Sequence, residues 1–317
     1  MKRPLIILTG PTAVGKTELS IRLAKRIGGS IVSADSMQVY KWMNIGSAKI
    51  TRDEMQGVPH YLIDFLEPDE EFNVAKFQFY AKEAMEQIYA QGRIPILTGG
   101  TGFYIQAVLY DIDFSKQMIQ EEYRKELEKL AEEKGTEALH EQLARVDPAS
   151  AGAIHANNVK RVIRALEYYR LTGKRISDHN QKERSKQSPY NFAYFVLNDE
   201  RSRLYDKIEQ RVDQMIAQGL VEEVRRLKEM GYTQDLVSMQ GLGYKELFPY
   251  LNGTCTLDEA VYVIKRDTRH FAKRKLTWFR REKEVIWVDK GRFSYDNDKI
   301  LDFLCDKITE KGLPTVK

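Results

Sequence analysis

Residues 1–112 alternate between short apolar runs and longer stretches of helical period. Residues 5–8 (LIIL) form an uninterrupted aliphatic run, the pattern of a strand buried on both faces. Leu19, Leu23 and Ile27 then follow at helical spacing. A β-rich run precedes Asp35 in GSIVSADSMQVY (29–40), and PHYLIDFLEP (59–68) is another short apolar run. Residues 72–89 have the period of a helix, with Phe72, Phe79 and Met85 among the apolar positions. RIPILTGGTGFYI (93–105) reads as a strand that empties into a glycine-rich turn. Strands alternating with helices predict a parallel sheet whose working loops gather at the strand carboxyl ends.

The pattern changes at residue 113. EEYRKELEKLAEEKG (121–135) places Tyr123, Leu127, Leu130 and Ala131 on one face of a charged helix. VDPAS interrupts it, and NNVKRVIRALEYYRLTGK begins another helix, with Asn157 or Asn158 as cap and Gly173 as stop. QKERSKQSP (181–189) is a polar return. YNFAYFVLND (190–199) resumes strand character, and Leu204, Ile208, Val212, Met215 and Ile216 line a long helix. SMQGLGYKE (238–246) is a glycine-bearing loop, 260–282 a helix with a basic face, and VIWVD (285–289) a last strand before a surface helix and tail. The predicted fold class is α/β: a P-loop NTPase-like core with a parallel sheet over 1–112 and 190–317, and an all-helical insertion domain over 113–189.

The chemistry begins in the first turn. Gly10, Pro11, Thr12, Ala13, Val14, Gly15, Lys16 and Thr17 spell G-x-x-x-x-G-K-[ST] between a strand and a helix, the context that gives this motif its meaning. Gly10 and Gly15 let the backbone approach an anion. Successive N–H groups and the helix N-terminus then face phosphate. Lys16 adds a point charge, and the Thr17 hydroxyl can hold Mg²⁺. The loop specifies a polyphosphate with a divalent cation. It does not specify ATP.

Composition narrows the class. With 317 residues, 42% of them hydrophobic, the chain can bury one large core and a smaller second one. Cys255 and Cys305 are too far apart for a local metal knuckle and imply no disulfide framework, which fits a reducing cytosol. The apolar run at the start is too short for a signal-peptide core, and no stretch approaches membrane-spanning length, so a soluble cytoplasmic protein is expected. Net charge is +4 but uneven: residues 158–186 carry +6 and residues 265–283 carry +7, which leaves the remainder at −9. An acidic body with two basic stretches suggests a polyanion larger than a nucleotide, although a solvated helix face gives the same pattern.

A P-loop ATPase also needs an apolar strand ending in an Mg²⁺-binding carboxylate. Asp64, Asp199 and Asp289 are available, and none follows a long aliphatic run of the expected kind. Asp35 instead sits inside SADSMQVY, beside the cradle, with Ser33, Ser36 and Gln38 able to hydrogen-bond a base. A carboxylate there can take a proton from a nucleophile, or serve as a cap or metal ligand.

GPTAVGKT, SADSMQVY, GGTGFYI, DPASA.IH.NN.KRVIRALE, IEQRVDQMIAQGL, QGLGYKE and AKRKLTWFRR, in this order and spacing, resemble the bacterial tRNA dimethylallyltransferases over nearly the whole chain. The resemblance implies transfer of a dimethylallyl group from dimethylallyl diphosphate to the exocyclic amine of adenosine 37, beside the anticodon of tRNAs reading codons that start with U. Diphosphate is released and Mg²⁺ is the cofactor. Partners are then the tRNA anticodon stem-loop and the isoprenoid diphosphate, with no membrane, no zinc and a monomeric enzyme.

The resemblance also implies roles: Lys16, the loop N–H groups and Arg211 on the diphosphate, Asp35 as general base, and Thr101 on a diphosphate oxygen or the reacting base. Ser36, Met37 and Gln38 would face the flipped base. Lys160, Arg161 and Arg164 would grip RNA phosphates, as would Lys273, Arg274, Lys275 and Arg280 with Trp278. Gln240 and Lys245 add a loop contact, and Tyr123 and Arg124 can reach RNA from the insertion or simply pack there. Two rival readings remain at this stage: a P-loop small-molecule kinase using ATP, and an RNA-binding module with a degenerate nucleotide site.

Overall fold

The computed structural model describes residues 2–114 and 121–314. The chain divides into two compact units, Met1–Leu109 with Pro189–Lys317, and Tyr110–Ser188.

The first unit is built on one sheet, six-stranded among the described residues, in the order β3-β2-β4-β1-β5-β6 with every pairing parallel. Its strands are β1 (Arg3–Thr9), β2 (Gly29–Ala34), β3 (His60–Tyr61), β4 (Ile94–Gly99), β5 (Tyr190–Asn198) and β6 (Val285–Asp289). Residues 5–8 are fully buried in β1, as their uninterrupted apolar pattern requires. Helices α1 (Lys16–Ile27), α2 (Arg52–Met55), α3 (Val74–Ala90) and α4 (Gly102–Leu109) connect or follow the first four strands. Side chains of β1, α1, β4 and β5, with Ile300 and Leu304 from near the C-terminus, share one core.

The second unit holds α5 (Glu121–Val146), α6 (Pro148–Ala153), α7 (Val159–Thr172) and α8 (Ile176–Ser185). Beyond it the first unit resumes with α9 (Arg201–Ala217), α10 (Leu220–Glu229), α11 (Leu247–Leu251), α12 (Leu257–Phe279) and α13 (Asn297–Glu310). The tail expected after α13 runs into residues 315–317, outside those described.

Three local departures from the sequence pattern have physical causes. Helix α3 starts after Asn73, not at Phe72, because the Asn73 side chain accepts the N–H groups of Ala75 and Lys76. Phe72 then packs edge-on against Phe77 and Tyr104. The run PHYLIDFLEP pairs with the sheet only at His60–Tyr61, since Leu62 and Asp64 turn the chain away at φ 62° and 59°. The helical period at 121–135 ends at Gly135, whose φ of 85° breaks α5 before a further helical segment resumes.

The helical unit has its own core, with Leu127, Leu139, Leu143, Val162, Ile163 and Leu166 at its centre. It is pinned by Asp147, a buried carboxylate at the start of α6. Asp147 accepts the backbone N–H and hydroxyl of Ser150 and those of Ser177, at 2.7–3.0 Å. Burial pushes its pKa up, but the four donors pull harder and hold it below the usual carboxylate range. A depressed pKa gives stability that is complete above the unfolded value of about 3.9 and is lost as pH falls through the lower folded value. Asp147→Asn should remove that acid-dependent component and cost about 1–3 kcal/mol. Amide hydrogen exchange at the first turns of α6 and α8 is the measurement, and equal protection in both proteins at all pH values contradicts the assignment.

Candidate active site

Three strand ends lie level. Thr9 of β1 and Ala34 of β2 both pair with Gly99 of β4, and the Thr9 hydroxyl donates to the Gly99 carbonyl at 2.6 Å. The loops leaving these strands carry residues 10–17, 35–38 and 100–101. Gly99 has no room for a side chain, because a Cβ would collide with the backbone of Ala34. Gly10 is likewise pressed against the carbonyl of Leu197 at the end of β5, at φ 150°. The Lys16 amine folds over its own loop, donating to the carbonyls of Pro11 at 2.7 Å and Gly10 at 3.2 Å.

Two further cations converge on this point. Arg211 comes from α9 and Lys275 from α12, helices joined by ion pairs between Lys265 and Asp213 and between Arg269 and Glu209. Lys275 is 9% exposed, and its amine lies where a Cβ on Gly100 would be. Trp278, one turn on, fills the same space beside Gly102. Gly100 and Gly102 are therefore a seat for α12, and Lys275, read from sequence as part of an outer RNA grip, lies in the interior.

The electrostatics follow. Burial drives the Lys16 ammonium well below the usual lysine range; Lys275 and Arg211 push the same way, and Asp35 opposes them. Burial also lowers Lys275, with Asp35 raising it and Arg211 lowering it further. Arg211 is lowered by burial against the pull of Asp35. Asp35 thus acts on all three cations, which also repel one another. Lys290, in the turn after β6, is a fourth amine close behind the loop, 3.4 Å from the Val14 carbonyl.

The remaining predicted residues separate clearly. Asp35 is half-buried, and its Oδ1 accepts the N–H of Met37 at 2.9 Å, which closes the turn. Thr101 heads α4, its N–H bonded to the Ala34 carbonyl. Ser36 is half-buried, and Met37 packs on Gly241. Gln38 faces inward: its Oε1 accepts from Ser33, and its Nε2 donates to the carbonyls of Ala48 and Ser47. Gln240 donates to the Gln234 carbonyl, and Lys245 lies 3.6 Å from Glu246.

On α12, Lys273, Arg274 and Trp278 join His270, Thr277 and Arg281 around an open groove of about 430 Å³, and Arg280 is exposed nearby. Phe103, 41% exposed, lies edge-on to Trp278. In the helical unit Lys160 and Arg161 are exposed, whereas Arg164 is half-buried 4.0 Å from Glu167. Arg124 makes a two-pronged pair with buried Glu167 at 2.7 and 2.9 Å, and Tyr123 lies under the Arg170 guanidinium.

The strands flanking β1 do not provide an ATPase carboxylate. β4 ends in Thr98-Gly99-Gly100. Asp199 does follow a strand buried over residues 192–197, more apolar in its setting than its aromatic sequence suggested, but its carboxylate takes the Lys207 amine at 2.7 Å and the Glu200 N–H. A cationic pocket without that carboxylate suits a reaction in which diphosphate departs as a unit, so fold and site define a P-loop-type group transferase.

The chain belongs to the IPP transferase family, whose model matches residues 38–282. It is 60% identical, over 98% of its length and 99% of the relative's, to a tRNA dimethylallyltransferase of Lachnoclostridium phytofermentans. The structure of the tRNA isopentenylpyrophosphate transferase of Bacillus halodurans matches with a TM-score of 0.73 at 46% identity, covering 98% of each chain. A eukaryotic dimethylallyltransferase acting on tRNA matches with a TM-score of 0.83 at 26% identity, over 99% of this chain and 81% of that one. No helix among the described residues is long and apolar enough to cross a membrane.

Two predictions follow from the charge distribution. A diphosphate supplies negative charge and should raise the depressed lysine pKa values, so inorganic pyrophosphate should bind with proton uptake by the site at alkaline pH. The window runs from the depressed free-site values up to the ordinary lysine range near 10.4, about where an exposed amine titrates. Calorimetry in buffers of different ionisation enthalpy, corrected for the proton the pyrophosphate itself releases, reads this, and no uptake by the site contradicts it. Replacing Lys273, Arg274 or Arg281 by Ala should lower the salt slope of tRNA binding by about one unit per lost phosphate contact. Arg124→Ala should leave that slope unchanged and lower the melting temperature instead.

Proposed function

We propose that the chain transfers the dimethylallyl group of dimethylallyl diphosphate to N6 of adenosine 37 in tRNAs reading codons that begin with U. The observation that carries this reading is the group of Lys16, Arg211 and Lys275 gathered around the phosphate loop beside Asp35, with the Lys275 amine against Gly100 and the Lys16 amine on the Gly10 and Pro11 carbonyls. An allylic C1–O bond breaks toward a resonance-stabilised, cation-like carbon, so the barrier lies in separating the leaving diphosphate. Preorganised cations and loop N–H groups lower that barrier most where charge develops. The adenine amine is a weak nucleophile because its lone pair is delocalised, and Asp35 orients it and accepts its proton. Thr101 hydrogen-bonds the diphosphate or the reacting base.

The donor set fits Mg²⁺. Thr17 presents a hydroxyl at the start of α1, and no cluster of three or more His, Cys, Asp or Glu side chains among the described residues forms a protein cage. A hard cation bound by Thr17 and diphosphate oxygens would add charge neutralisation at the leaving group.

The anticodon loop offers single-stranded bases, and flipping adenine 37 outward costs a few kcal/mol, offset by stacking and base-edge hydrogen bonds. The basic groove on α12 supplies phosphate contacts, with Phe103 and Trp278 as aromatic surface beside it. Lys160 and Arg161 serve as further phosphate contacts, and Ser36 faces the base. The enzyme works as a cytoplasmic monomer.

Radiolabelled dimethylallyl diphosphate with unmodified tRNA should give labelled RNA, undiminished by ATP. Labelling abolished by ATP together with ATP hydrolysis would instead favour a kinase. Asp35→Ala should reduce transfer by at least about 10²-fold with tRNA affinity retained. Lys275→Met should reduce it by about 10²–10³-fold and weaken pyrophosphate binding. Equal loss of tRNA binding in Asp35→Ala rules out the base role.

A further inference from the structure

The loop after β2 is held from an unexpected direction. Glu223, on α10, is 7% exposed, and its carboxylate is aimed into the loop formed by residues 43–48. Oε2 accepts the backbone N–H groups of Asn44 at 2.9 Å and Ile45 at 2.8 Å. Oε1 accepts the N–H of Gly46 at 3.1 Å and the hydroxyl of Tyr244 at 2.7 Å. Tyr244 is fully buried, and its hydroxyl also accepts the N–H of Ser47 at 3.2 Å. Burial and the Glu223 carboxylate hold the Tyr244 phenol protonated, its pKa well above the ordinary value. Gly46 lies flat on the Tyr244 ring, where a Cβ would come within 2.5 Å of the aromatic carbons.

Four consecutive backbone N–H groups are thus gathered by one carboxylate and one phenol. The same loop then reaches the catalytic turn. Carbonyls of Ser47 and Ala48 receive the Gln38 amide, whose oxygen accepts from Ser33 beside Asp35. Met37, in that turn, rests on Gly241. Within QGLGYKE, the residues Gly241, Gly243, Tyr244 and Glu246 are buried, so this motif is mainly a buttress.

We propose that Glu223, with Tyr244, is a positioning residue that fixes the Asp35 turn through the 43–48 loop and Gln38. The chain of contacts runs from Glu223 to the loop N–H groups, from the loop carbonyls to the Gln38 amide, and from Gln38 to Ser33 and the turn. A carboxylate is needed because both oxygens only accept. Glutamine would turn an NH₂ group toward N–H donors and lose at least one of the four bonds, that to Gly46, even if the Tyr244 hydroxyl reverses to accept. The proposal rests on the reading of Asp35 as the group that handles the adenine amine.

The test is a double-mutant cycle on the single-turnover transfer rate with enzyme in excess. Rates are normalised to the pyrophosphate-binding sites counted by titration, so loss of folded protein does not enter. Glu223→Gln and Gln38→Met should each slow transfer by at least tenfold, with pyrophosphate affinity unchanged. If Glu223 acts through Gln38, the double variant is no slower than the worse single one. Multiplicative losses, or an unchanged rate in Glu223→Gln, overturn the proposal. Should Glu223→Gln fail to fold, Tyr244→Phe takes its place in the same cycle. It removes one donor and should slow transfer a few-fold, non-additively with Gln38→Met. Asp35→Ala, measured alongside, separates the two readings: full activity there discards the role of Asp35, while the Glu223–Gln38 coupling is judged from its own cycle.

Discussion

Drawing one buried and two half-buried cations together beside Asp35 is the constraint around which the first unit is arranged. Taking charge out of water is costly, and burial lowers the pKa of Lys16, Lys275 and Arg211 against the pull of Asp35. The fold tolerates it because the cations sit on rigid elements that are stabilised elsewhere. Lys16 begins a helix whose inner face is apolar, and Arg211 and Lys275 project from two helices tied together by ion pairs away from the site. On the function proposed above, the diphosphate would supply the negative charge that these cations await. Stabilisation of a departing diphosphate needs little further reorganisation, which is the condition under which such groups are most effective.

Glycine sets how tightly the parts approach. The sheet brings three strand ends level, and side chains at Gly99 or Gly100 would separate β2 from β4 or expel the Lys275 amine. Gly10 gives β1 and β5 the same freedom on the other side. These contacts explain why the loop after β4 reads GGTG: its glycines are needed for packing against neighbouring backbone and α12, and Gly10 likewise serves packing on Leu197 as well as the phosphate loop.

Much of this was legible in the sequence. Strand–glycine loop–helix, the buried run at residues 5–8, the second glycine turn and the helical insertion all declare themselves by local pattern. Tertiary commitment of polar side chains does not. Gln38 looks like a base reader from its neighbours, yet both ends of its amide are used inside the protein. Arg124 looks like an RNA contact on a charged helix, but Glu167, 43 positions away, claims it. Lys275 carried a signal that a charge count hides. Ala260, Ile264, Thr268, Ala272 and Phe279 form the buried stripe of α12, and Lys275 falls on that stripe. A lysine in an apolar register is a better indicator of an interior site than a lysine in a basic run.

Helix α12 faces two ways. Lys275 points in toward Gly100 and the phosphate loop, while Lys273, Arg274 and Arg281 line the outer groove. Because all four stand on or next to one continuous helix rising about 1.5 Å per residue, the function proposed above would have the separation between isoprenoid and polynucleotide set by a covalent ruler. Seating a ribose-phosphate strand on the outside would then gauge the reach of an extruded base toward the allylic carbon. An insertion of a single residue between Arg274 and Lys275 would rotate Lys273 and Arg274 away from Lys275 by about 100° and, on that reading, uncouple the two substrates.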